Sequence, residues 1–112
     1  MKQVAVIGVG PFGQTLARDL MKLKCEVLAI DISETAIDAI KESVTRAVIA
    51  DAKNLEALKE LISEDMDDVV VCMAENIETS ILCALHLQTI MDVLYGFEPR
   101  HSRVVDVMRF II

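Results

Sequence analysis

The side chains able to do chemistry in this 112-residue chain gather at the ends of short apolar runs. The first run, Gln3–Ile7, closes on Gly8-Val9-Gly10-Pro11-Phe12-Gly13, a G-x-G-x-x-G turn leading straight into residues of helical period. In such a turn the first glycine permits the tight bend and the second lets a pyrophosphate approach the backbone. The third lets the following helix pack closely on the strand. Phosphate then rests on the free amides of the helix start, where the macrodipole is equivalent to roughly half a positive charge. Three of the chain's four glycines fall in this one turn, whereas a turn without a ligand needs only one.

Asp31, with Ile32 beside it, ends the second apolar run eighteen residues beyond Gly13. That is close to the roughly 20-residue spacing of the acidic residue that accepts from a ribose diol. A carboxylate there repels a 2′-phosphate, so NAD or an unphosphorylated adenosine ligand is favoured over NADP; capping of the next helix is the competing role. Asp51, followed by Ala52, ends the third run and has two readings: an acceptor for the adenine amino group, or a solvated loop aspartate paired with Lys53. Ala74, Glu75 and Asn76 follow the fourth run at the expected switch point of the sheet. Ala74 leaves space there, and Asn76 is first a helix cap and second a ligand contact.

A dehydrogenase also needs a proton donor or acceptor near the nicotinamide, and usually a second domain to hold substrate. The sequence supplies neither. His86 lies within an apolar helical segment and reads as a satisfied core or interface residue, and His101 has no nameable partner. Cys83 and His86 share an i, i+3 spacing, but two ligands do not make a zinc site. The expectation is binding without catalysis and without metal. The alternative is a minimal NAD-dependent oxidoreductase domain completed by another chain.

The elements that must hold these residues alternate in type. β-branched apolar runs at Gln3–Ile7, Glu26–Ile30, Arg46–Ala50, Asp68–Met73 and Val93–Phe97 predict strands buried on both faces. Between them, Phe12, Leu16, Leu20 and Leu23, and later Ile37, Ile40 and Val44, fall at helical spacing. Ser33, Asn54 and Asn76 stand at helix starts, each with a glutamate in the first turn. The predicted fold is a Rossmann-like, doubly wound parallel α/β sheet of five to six strands with helices on both faces, in one domain over residues 1–112.

The segment from Asn76 to about Met91 carries more apolar residues than one stripe against its own sheet requires, which predicts self-association. A net charge of −7 makes nucleic acid an unfavourable partner. The longest apolar stretch, Val69 to Ala74, is far too short to span a membrane, and strand-like sequence from Gln3 leaves no room for a leader. Cys25, Cys72 and Cys83 form no even set and no C-x-x-C pair, as in a reducing compartment. The expected location is cytoplasmic.

These motifs carry a family resemblance. The runs VAVIGVGPFGQTLARDL, EVLAID, AVIAD and VVVCMAENIETSIL resemble the nucleotide-binding domain of regulators of potassium conductance and uptake, the RCK, KTN or TrkA-N amino-terminal domain. The likeness runs from Met1 to about Leu87 and thins beyond; Val93–Phe97 is similar to the family's fifth strand, and Phe110–Ile112 to the start of a sixth. It implies a regulatory domain that binds NAD(H), or ATP, ADP or AMP, without chemistry. Such domains form homodimers and rings at the inner face of the membrane, on a potassium channel or transporter. The resemblance assigns the phosphate loop to Gly8, Gly10 and Gly13, the ribose to Asp31 and the adenine border to Asp51 and Ala52. Pro11 departs from the pattern, since relatives often carry a basic residue there, and weaker phosphate binding or an altered nucleotide preference is expected. The chain also stops where relatives continue into a second lobe.

Overall fold

The β-branched runs form strands and the segments of helical period form helices, in strict alternation. A computed structural model describes residues 1–63, 65–73, 77–95 and 103–106. In chain order these give β1 (Gln3–Ile7), α1 (Pro11–Lys22), β2 (Glu26–Asp31), α2 (Glu34–Ile40) with a 3₁₀ turn at Lys41–Ser43, and β3 (Arg46–Ile49). There follow α3 (Leu55–Leu61), β4 (Asp68–Val71), α4 (Ile77–Tyr95) and β5 (Arg103–Asp106).

All strand pairs are parallel, in the order β3-β2-β1-β4-β5. The chain therefore winds outward from β1 to β3, returns across β1 to β4, and winds outward again. This reversal opens a crevice between β1 and β4 at the carboxyl ends of the strands.

Alternation along each strand divides the core in two. Val4 and Val6 of β1, with Val27 and Ala29 of β2, pack against Ala17 of α1 and Ile37 and Ile40 of α2. Ala5, Ile7, Leu28, Ile30, Val69 and Val71 face the other way and meet Leu58 of α3 and Cys83, Leu87 and Ile90 of α4. Each fully buried Val, Ile or Leu contributes about 1.5–3 kcal/mol relative to exposure.

Helix ends follow their local chemistry. The Ser33 hydroxyl accepts from Ala36 N–H at 3.2 Å, and Asn54 Oδ1 accepts from Glu56 and Ala57 N–H at 3.0 and 3.2 Å. α1 closes with Lys24 N–H donating to Met21 C=O and Cys25 N–H to Leu20 C=O, the two bonds of a Schellman motif. That motif forces Lys24 to φ +69°, where glycine is the usual occupant.

Two sequence expectations are corrected near the carboxyl end. Val93–Phe97 is not the fifth strand: Val93, Leu94 and Tyr95 continue α4. A short apolar run has no period of its own, and here it extends a helix with no breaker before Gly96. The fifth strand is instead Arg103–Asp106, and it pairs with β4 through Val69↔Val104 and Val70↔Val105. The Asn76 cap, His101 and the sixth strand at Phe110–Ile112 lie outside the described residues.

Candidate functional site

The ends of β1, β2 and β4 meet at the glycine turn. Gly8 N–H donates to Ile30 C=O at 2.8 Å and Cys72 N–H to Ile7 C=O at 2.7 Å, carrying both parallel ladders one step past the strands. At Gly8 φ is +92°, and a Cβ would lie 2.9 Å from Cys72 O and 3.0 Å from Met73 Cγ. At Gly13 a Cβ would run into the carbonyl oxygen of Gly8. Both glycines are required by the chain's own packing.

Gly10 is different. It caps α1 with φ −70° and ψ −167°, an extended conformation open to any residue, and a Cβ there would meet nothing within 4 Å among the described residues. No side chain caps α1, and its first turn has no acidic residue, whereas α2 and α3 each carry both a cap and a first-turn glutamate. Pro11 occupies the first helical position, and the first backbone bond of the helix is Gln14 N–H to Gly10 C=O at 2.8 Å. The amides of Phe12 and Gly13 precede that bond, as at any helix start. Phe12 is largely exposed.

Val9 holds the turn in place. Its side chain is fully buried among the residues under α1, its C=O accepts from Gln14 Nε2 at 2.9 Å, and its N–H donates to Asp31 Oδ2 at 2.8 Å. Asp31 ends β2 beside this turn, and its other oxygen, Oδ1, accepts from Ser33 N–H at 2.9 Å. Ile32 is exposed. The Asp31–Val9 contact has no signature in the sequence, since it joins residues 22 positions apart.

The remaining candidates are spread around the same edge. The Asp51 Oδ1 accepts from Lys53 N–H at 2.9 Å, so the lysine meets Asp51 through its main chain rather than through an ion pair of its side chain. Ala52 belongs to the core under α3 and α4, which leaves its side chain little free surface. Ala74, Glu75 and Asn76 lie outside the described residues.

On α4, His86 Nδ1 is buried with no hydrogen-bond partner among the described residues. Ile81, Leu82 and Leu85 are 43%, 44% and 54% exposed, while Leu87 and Ile90 are buried against the sheet. Among the described residues, no three His, Cys, Asp or Glu side chains converge as metal ligands, and no helix is long and apolar enough to cross a membrane.

A parallel sheet that reverses at β1 and β4, with a glycine turn at the reversal, defines a Rossmann-like α/β domain. The likeness is visible in the NAD(P)-binding domain of an exopolyphosphatase-related protein from Archaeoglobus fulgidus. That crystal structure has a TM-score of 0.74 at 24% identity and covers 99% of this chain and 92% of that one, a likeness of fold. Residues 4–99 match the TrkA-N domain, and the chain belongs to that family. It is 38% identical over 87 residues to Ktr system potassium uptake protein C of Bacillus subtilis (strain 168), and 39% identical over 87 residues to Ktr system potassium uptake protein A of the same organism. Each alignment covers 78% of this chain, and the chain spans 39% of the length of either relative.

Proposed function

We propose that this chain is a regulatory nucleotide-binding domain of a potassium transport system, taking NAD(H), or in its place ATP, ADP or AMP, and doing no chemistry on it. The observation that carries the nucleotide is Gly10. Packing explains Gly8 and Gly13, but nothing among the described residues requires a missing side chain at Gly10, which stands at an uncapped helix start. A pyrophosphate drawn to the amides behind it gives that absence a reason. Asp31, one strand over, is the acceptor for a ribose diol, because each of its oxygens keeps a second lone pair beyond its present bond. Asp51 borders the base in this reading, with Ile32 next to Asp31 in the chain, and Ala74, Glu75 and Asn76 are further candidate contacts to the ligand.

The potassium system is supported by the Ktr relatives, whose names state potassium uptake. The partner is then a membrane channel or transporter, met from the cytoplasmic side. A ligand shifts a conformational equilibrium only by its difference in affinity for the two states, and NADH and NAD, or ATP and ADP, differ in charge at the same pocket. The exposed strip of Ile81, Leu82 and Leu85 on α4 supports delivery of that shift to a second copy, in a dimer or ring.

Calorimetric titration with NADH, NAD, ATP and ADP tests the reading. Saturable binding of at least one is expected, and four null titrations overturn it. Turnover of a reduced cofactor by the chain would overturn the assignment of binding without catalysis.

A further inference from the structure

Asp31 is already engaged without a ligand. Its Oδ2 accepts the Val9 N–H from the glycine turn at 2.8 Å, and its Oδ1 accepts the Ser33 N–H at 2.9 Å. Ser33 is itself the N-cap of α2 through its hydroxyl. One carboxylate thus joins the β1–α1 turn to the β2–α2 turn, and both bonds go from neutral amides to a charged acceptor, the stronger kind. Val9 is further held by its buried side chain and by Gln14 at its carbonyl. The only charged group bonded to the turn's main chain among the described residues is Asp31.

We propose that Asp31 is a positioning residue for the phosphate turn as well as an acceptor for ribose: it sets the orientation of the Gly8–Val9 peptide before a nucleotide arrives. This rests on the nucleotide reading above, and it assigns Asp31 a task in parts of the ligand that it never touches. The geometry demands two acceptor oxygens on a short arm. An asparagine offers one oxygen and turns an NH₂ toward the other amide, so it satisfies Val9 or Ser33 but not both. A glutamate keeps the charge and displaces the oxygens by one methylene.

Two measurements on wild type, D31N and D31E test this. In the first, hydrogen exchange is followed amide by amide on the ligand-free chain. Loss of protection at Val9 or at Ser33 in D31N, with the β1 amides of Val4 to Val6 unchanged as the control for folding, is the expected result. Retained protection at both overturns the proposal. D31E, which keeps the charge, serves the same comparison if D31N does not fold.

In the second, affinity is measured for ADP and for 2′,3′-dideoxy-ADP, which lacks the diol. If Asp31 served ribose alone, the substitutions would weaken ADP and leave the dideoxy compound unaffected, and that result overturns the proposal. The expected result is a loss of about tenfold for the dideoxy compound, the scale of one charge-assisted hydrogen bond, and a larger loss for ADP, which also gives up the diol contact. Wild type binding neither compound would count against the nucleotide reading, and the exchange result at Val9 and Ser33 would still decide the positioning role.

Discussion

The place that a Cβ on Gly13 would occupy is held by the carbonyl oxygen of Gly8, five residues earlier in the same turn. α1 is thereby pressed against the end of β1 more closely than any side chain at position 13 allows. At Gly10, three residues before, the same added carbon meets open space.

One substitution therefore has opposite effects at the two positions. Gly13→Ala is expected to cost about 2 kcal/mol or more in urea unfolding, because the helix must move off the strand. Gly10→Ala should leave stability within about 0.5 kcal/mol of wild type and lower nucleotide affinity measured by calorimetry. A Gly10→Ala chain that binds nucleotide as well as wild type would remove the main argument for the site.

Lys24 sits at φ +69° because the end of α1 needs a left-handed residue there. Lys24→Gly removes that strain at the expense of a more flexible unfolded chain. A net gain of about 0.5–1 kcal/mol in thermal or urea unfolding is expected, with nucleotide binding unchanged.

Asn54 Oδ1 satisfies two amides at the start of α3, which is only two turns long. Asn54→Ala should cost about 1 kcal/mol of stability, the usual value of a helix cap, and Asn54→Asp should keep most of it. Equilibrium unfolding of the two variants side by side checks the assignment.

On α4, exposure separates the residues proposed to serve association from those that serve the fold. Leu85→Glu should give a folded chain that binds nucleotide and has lost self-association, read by sedimentation or light scattering. Leu87→Glu places a carboxylate in the core beside Cys83 and Ile90 and should cost several kcal/mol, read by urea unfolding. A Leu85→Glu chain with unchanged oligomeric state would count against the α4 strip as an interface.

Most of the architecture was legible in the order of residues. β-branched runs marked β1 to β4, helical spacing marked α1 and α2, and Asn54 and Asn76 marked where α3 and α4 begin. The turn from Gly8 to Gly13 and the spacing to Asp31 were equally plain, since that chemistry is local and needs those residue types at those intervals. The error at Val93–Tyr95 came where a short apolar run is compatible with strand and helix alike, and only the helix already under way settles the matter.

Other features belong to contacts that chain order does not display. Whether Leu85 or Leu87 faces solvent depends on how α4 is rotated against the sheet, so two leucines of equal hydropathy have opposite exposure. The division of the three glycines into two needed for packing and one left open depends on what approaches each of them, Cys72 and Met73 at Gly8 and the Gly8 carbonyl at Gly13. The bond from Val9 to Asp31 exists because parallel pairing of β1 with β2 brings a main-chain amide and a carboxylate together across 22 residues. Patterns of residue type are set by neighbours along the chain, whereas exposure, collision and hydrogen bonding are set by neighbours in space.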